Sequence, residues 1–216
     1  MDLLPCQWPW PQLVPTDTIE SRFVTALVYP LGFIICIMSG TNLFTEHTAT
    51  AVYPILDKKE PFRKLLRIWA IIIVGNLVGT FLSAYLIHLA EPVIGAKMGY
   101  ITVAHHLIKY PPEAIFISAV LAGWLMAQGG WLIQALPSSS GQILTIYIVT
   151  FIIGIGGLHH SIAGSAEVFT AAMLGDINIE NILKFLGAAI FGNLIGGSFF
   201  VAILNYGHIK KTRSVD

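Results

Sequence analysis

His159 and His160 lie inside residues 143–166, a run that contains no Asp, Glu, Lys or Arg. An imidazole titrates near about pH 6.5, which suits proton exchange at physiological pH. An ionisable side chain buried in an apolar run of spanning length is costly unless it is neutral or paired, so it marks a functional position. The pair therefore allows two readings, a proton-exchanging group on a permeation path or a neutral imidazole bridging two helices. A metal site is not expected, because adjacent helical residues diverge by about 100° and no nearby Cys or Asp completes a tetrahedral set. No nucleophile–base pair is spaced for catalysis, so neither an enzyme nor a cofactor is expected.

Three further groups share this polar character within apolar surroundings. Ser39-Gly40 leads into Leu43-Phe44-Thr45-Glu46-His47, and Gly156-Gly157 leads into His159-His160-Ser161. Both read as places where a membrane helix breaks, since Gly, Ser, Thr and Asn permit an interruption and hydroxyls can rebind freed backbone groups. Asn76 and Asn193 sit in matching motifs, Gly75-Asn76-Leu77-Val78-Gly79 and Gly192-Asn193-Leu194-Ile195-Gly196. Gly75, Gly79, Gly192 and Gly196 would let helices approach closely. Each Asn could bond to a neighbouring helix or line a pore.

The matching motifs lie 117 residues apart, and the same offset places Ser39-Gly40 on Gly156-Gly157 and Leu66-Arg67 on Leu183-Lys184. The chain thus reads as a duplication. With 55% hydrophobic residues, 11% charged residues and a mean hydropathy of +0.74, its 216 residues cannot hide their apolar surface in one soluble core. Five charge-free windows, 23–45, 68–90, 114–136, 143–166 and 185–206, match the roughly 20 residues that cross a bilayer. None alternates as a barrel strand does, which leaves helices.

Five spans cannot split into two equal halves. Subtracting the offset from the third span lands on the first residues of the chain, where Pro5, Pro9, Pro11 and Pro15 argue against a helix. The first helix of the first repeat is therefore expected to be missing. The expected domains are a non-spanning segment 1–22, a transmembrane domain 23–206 and a basic tail 207–216. Three helices per repeat, an odd number, would insert the halves with opposite orientation. The expected fold class is thus all-α, a polytopic membrane protein of inverted three-helix repeats with broken helices.

Net charge is zero, so a nucleic-acid partner has no electrostatic support. Eight of the twelve basic residues, Lys58, Lys59, Arg63, Lys64, Arg67, Lys210, Lys211 and Arg213, fall on one side if the spans alternate. That side is expected to be cytoplasmic and to hold the C-terminus, in a cell inner (plasma) membrane. His105, His106 and Lys109 are expected in a solvated loop on the opposite side, where cations could concentrate an anion. Cys6 and Cys36 offer no disulfide framework.

The chain resembles the formate/nitrite transporter family from about residue 23 to residue 206. Leu43-Phe44-Thr45 resembles its first helix-breaking loop, His160-Ser161-Ile162-Ala163 its central histidine motif, and Gly192-Asn193-Leu194-Ile195-Gly196-Gly197 the glycine-asparagine motif of its last helix. The resemblance implies an aquaporin-like protomer of a homopentamer, conducting small monovalent anions such as formate or nitrite together with a proton across the lipid bilayer. Leu43 and Phe44 would help form a constriction, Thr45 would offer a hydroxyl, and His160 would exchange protons with Asn193 beside it. Glu46 and Gly164 depart from the family pattern, and Glu46 would repel an anion if ionised. The other functions open at this point are a channel for water or a neutral weak acid and a non-transporting membrane scaffold.

Overall fold

The structure, a computed structural model, describes residues 19–203, and all regular structure among them is helical. The Trp-Pro run near the N-terminus, Cys6 and the basic residues 210, 211 and 213 lie outside the described residues. Helices α1 (Ile19–Val28) and α2 (Pro30–Met38) form the first apolar run, joined through Tyr29, whose backbone stays helical. This run begins before residue 23, so Arg22 belongs to a helix rather than to the segment expected to precede it. After a break come α3 (Phe44–Thr50) and α4 (Tyr53–Leu56).

The long α5 (Phe62–Ile94) is closed by Gly95 in the left-handed region. Next come α6 (Lys97–Ile108) and α7 (Pro112–Ala135), then α8 (Ser139–Ile155), a second break and α9 (Ser161–Met173). The described part ends with α10 (Ile179–Ile195), which continues as a π-helical turn over Gly196–Ile203. His105 and His106 thus occupy α6 rather than a loop, because residues 97–108 sustain an unbroken helix between Gly95 and the Pro111-Pro112 pair.

Among the described residues three helices are long and apolar enough to cross a membrane: Phe62–Ile94, Pro112–Ala135 and Ile179–Phe200. The runs Arg22–Met38 and Ser139–Ile155 are shorter. A 17-residue helix such as α8 rises about 25 Å, short of a full crossing of about 30 Å. Each short run is followed, across its break, by a half-helix.

The two breaks superpose at the sequence offset. Gly40 and Gly157 both adopt the left-handed backbone, with φ of 76° and 59°. Three residues on, Leu43 and His160 are both extended, at φ −87°, ψ 125° and φ −102°, ψ 120°, and each precedes a half-helix. A side chain at either glycine would strain a turn that only glycine adopts without steric cost. The duplicated sequence therefore specifies a duplicated backbone, with α2, α3 and α5 of one half answering to α8, α9 and α10 of the other.

The halves differ in what surrounds them. Helix α10 packs closely on α7 along a glycine seam: a Cβ at Gly192 would meet the Phe116 carbonyl at 2.5 Å, one at Gly196 the Val120 carbonyl at 2.1 Å, and one at Gly123 the Asn193 carbonyl at 2.3 Å. Gly75 and Gly79 of α5 have nothing within 4 Å. They lie on an open face beside the exposed Val78 and Leu82. Because a side chain forced into the seam overpacks it, Gly192→Ala is expected to cost about 1–3 kcal/mol. Gly79→Ala should be neutral or slightly stabilising, since alanine is the better helix former. Thermal unfolding of single chains in detergent checks both, and equal losses for the two variants would contradict the seam.

Candidate functional site

A helix break in a membrane frees backbone N–H and C=O groups that lipid cannot satisfy. One asparagine per half takes up this role. The first amide of α3, that of Phe44, donates to Asn76 Oδ1 at 2.9 Å, and Asn76 Nδ2 donates to the Asn42 carbonyl at 3.0 Å. At the same offset, the Ser161 amide donates to Asn193 Oδ1 at 2.7 Å, and Asn193 Nδ2 donates to the His159 carbonyl at 3.1 Å. Asn193 makes a third bond to the Ala119 carbonyl of α7 at 2.7 Å and is fully buried. Each asparagine clamps the start of its half-helix to a carbonyl within the break.

His160 caps the second half-helix. Its Nδ1 accepts the Ala163 amide at 3.2 Å. An amide can only donate, so Nδ1 carries no hydrogen and the neutral ring holds its proton on Nε2. That Nε2–H donates to Thr45 Oγ1 at 2.7 Å. Thr45 lies one residue into α3, so this bond joins the two breaks across the duplication. The Phe33 ring meets the imidazole in a T-shaped contact at 5.0 Å, and both His160 and Thr45 are buried.

His159 is engaged differently. Its amide donates to Ser118 Oγ at 3.1 Å, and its Nδ1 lies 2.8 Å from that oxygen. Ser118 accepts the amide and donates its hydroxyl hydrogen to Nδ1. The Nε2–H then goes to the Leu107 carbonyl at 3.1 Å, and the Tyr110 and Phe185 rings flank the imidazole. Both ring nitrogens are spent on α6 and α7.

A cavity of about 300 Å³ opens from His160 toward α6. Its wall includes Arg22, Tyr29, His106, Gly164 and Glu167. Of the residues singled out from the sequence as a pathway, His160 alone lines it. Leu43 and Phe44 pack in the core around Phe33 and Ile162. Glu46 is half-buried and turns toward α7, where a Cβ on Gly130 would lie 2.6 Å from its Cγ. His47 gives its Nδ1–H to the Leu43 carbonyl rather than to Glu46.

Two lining residues were not visible as candidates. Arg22 falls just before the first charge-free window and Glu167 just after the fourth. The available signal was a lone carboxylate at seven residues from His160, on the same helical face.

A profile described as formate/nitrite transporter matches residues 10–207. The chain is 29% identical over 193 residues to the inner membrane protein YfdC of Escherichia coli (strain K12), covering 87% of this chain and 61% of that one. It is 28% identical over 211 residues to a probable formate transporter of Methanothermobacter thermautotrophicus, covering 88% and 76%. A solved pentameric formate channel with formate bound shares the fold, at a TM-score of 0.75 and 19% identity over 90% of this chain and 84% of that one.

The asparagine clamps make a stability prediction. With three bonds in a fully buried setting, Asn193→Ala is expected to cost about 3 kcal/mol, and Asn76→Ala, with two bonds at a partly exposed site, about 1–2 kcal/mol. Chemical unfolding in detergent ranks them. An Asn76→Ala loss equal to or above that of Asn193→Ala would contradict the account.

Proposed function

The chain belongs to the formate/nitrite transporter family, and from that premise we propose that it is a transmembrane channel for small monovalent anions such as formate or nitrite, with His160 exchanging a proton at its centre. The observation that carries this reading is the Thr45–His160 bond at the point where both half-helices begin, with His160 on the wall of a cavity. A bare anion loses its hydration in such an apolar passage at a cost of several kcal/mol or more, whereas its conjugate acid is far cheaper to move. Neutral His160 presents Nε2–H, the donor an arriving carboxylate or nitrite oxygen needs in place of Thr45. Taking up a further proton requires Nδ1 to release the Ala163 amide, so charging the ring is linked to loosening the first turn of α9.

Leu43 and Phe44 would narrow the path beside Thr45, and Asn193 would hold the break rigid while the solute passes. Homopentameric assembly follows by analogy with the solved formate channel, and the open face of α5 is available to neighbouring subunits. The cluster of Lys58 and Lys59 before α5 with Arg63, Lys64 and Arg67 in its first turns orients that end to the cytoplasm. The cavity under α6 then opens outward, and the C-terminus lies inside.

Flux of labelled formate and nitrite into proteoliposomes, measured from about pH 5 to about pH 8, tests the proposal. The expected result is saturable uptake that rises as pH falls. His160→Asn should abolish the pH dependence while leaving assembly intact. A pH profile unchanged in that variant would return His160 to a purely structural role.

A further inference from the structure

The cavity under α6 brings together groups that the central histidine does not explain. His160, the N-cap of α9, and Gly164 and Glu167 within that helix stand at i, i+4 and i+7, and all three line the cavity. Glu167 therefore stands about 10 Å along the helix axis from His160. Gly164 between them carries no side chain, and the Phe185 ring packs against it, 2.4 Å from where a Cβ would stand, so Glu167 and His160 share the cavity wall on either side of that contact.

Across the cavity, Arg22 of α1 and His106 of α6 converge on Gly157. Measured from the position a Cβ would occupy there, Arg22 Nη1 is 3.5 Å away and His106 Nε2 is 3.6 Å away. Arg22 Nε is buried without a hydrogen-bond partner, and no ion pair joins Arg22 to Glu167. A guanidinium matches a planar carboxylate or nitrite in both shape and charge.

We propose that this cavity is a loading station in which Arg22 and His106 gather the small anion over Gly157 and Glu167 gives it a proton. This rests on the small-anion reading of the pathway. In the transfer the O–H bond of the Glu167 carboxylic acid breaks and an O–H bond to the substrate oxygen forms. The substrate leaves as its neutral acid and Glu167 remains as carboxylate. A hydronium ion from the bulk at the cavity mouth then reprotonates Glu167 and leaves as water, so that over the cycle one bulk proton departs with each anion. The other titratable or charged side chains lining the cavity are Arg22, Tyr29, His106 and His160. Among the described residues, α5, α8 and α10 add none to the lining.

The arrangement gives Glu167 a second consequence. While it is ionised it repels an anion from the path to His160, and while it is protonated it supplies the proton that makes passage cheap. One group thus couples admission to pH.

The test uses the full chain in proteoliposomes with labelled formate, alongside infrared difference spectroscopy of the same protein on formate addition. Glu167→Gln should lose the acid-side rise in uptake, and Glu167→Asp should keep part of it. Arg22→Gln should raise the half-saturating formate concentration about tenfold, the low end of electrostatic focusing, with the maximal rate little changed. The carboxylic-acid band assigned by its loss in Glu167→Gln should diminish when formate binds.

A wild-type pH profile in Glu167→Gln, or a Glu167 band indifferent to formate, would overturn the proposal. If His160→Asn keeps its pH dependence while Glu167→Gln loses it, the central role of His160 fails and the loading station stands. If wild-type protein moves no formate, the small-anion reading fails, and the infrared band still decides whether Glu167 meets the ligand.

Discussion

The fold depends on one hydrogen-bonding constraint. A helix interrupted inside a bilayer exposes backbone groups, and each must find a partner within the protein. In this chain a single asparagine in each half answers that need, by accepting the first amide of the half-helix and donating to a carbonyl within the break. Once the breaks are held, α3 and α9 can begin inside the membrane. His160 then becomes the cap of one half-helix and a hydrogen-bond donor to the other. The remaining helices are arranged around that junction.

The two halves share a backbone but not an environment. In the second half, α7 lies against α10 so closely that only glycine fits the seam, and Asn193 gains a third bond from that neighbour. In the first half, Gly75 and Gly79 face open space and Asn76 is partly exposed. Identical local chemistry has therefore been put to two uses. A glycine in a membrane helix is a packing device only where another backbone approaches it.

Much of this was legible in the sequence. The 117-residue offset aligned the two breaks and the two asparagines, and the structure repeats it in the left-handed Gly40 and Gly157 and in the extended Leu43 and His160. The asparagines' role as clamps was not legible, because the partner amides belong to residues whose direction depends on the break itself. Neither was the division between His159 and His160. They are adjacent, yet one turns to Ser118 and the Leu107 carbonyl while the other turns to Thr45. Helix α6 and the cavity beneath it were hidden because charge-free windows exclude Arg22 and Glu167 by construction. Those residues reach the cavity only through the packing of α1, α6 and α9.

The central claim is that a small anion meets His160 where the two half-helices begin. Magic-angle-spinning NMR in lipid bilayers, with carbon-labelled formate and ring-nitrogen-labelled histidine, measures that proximity directly. The account predicts a through-space coupling between formate carbon and an imidazole Nε2 that disappears in His160→Asn. A coupling to His106 at the cavity survives that variant, and bound formate with no coupling that is lost in His160→Asn would contradict the account.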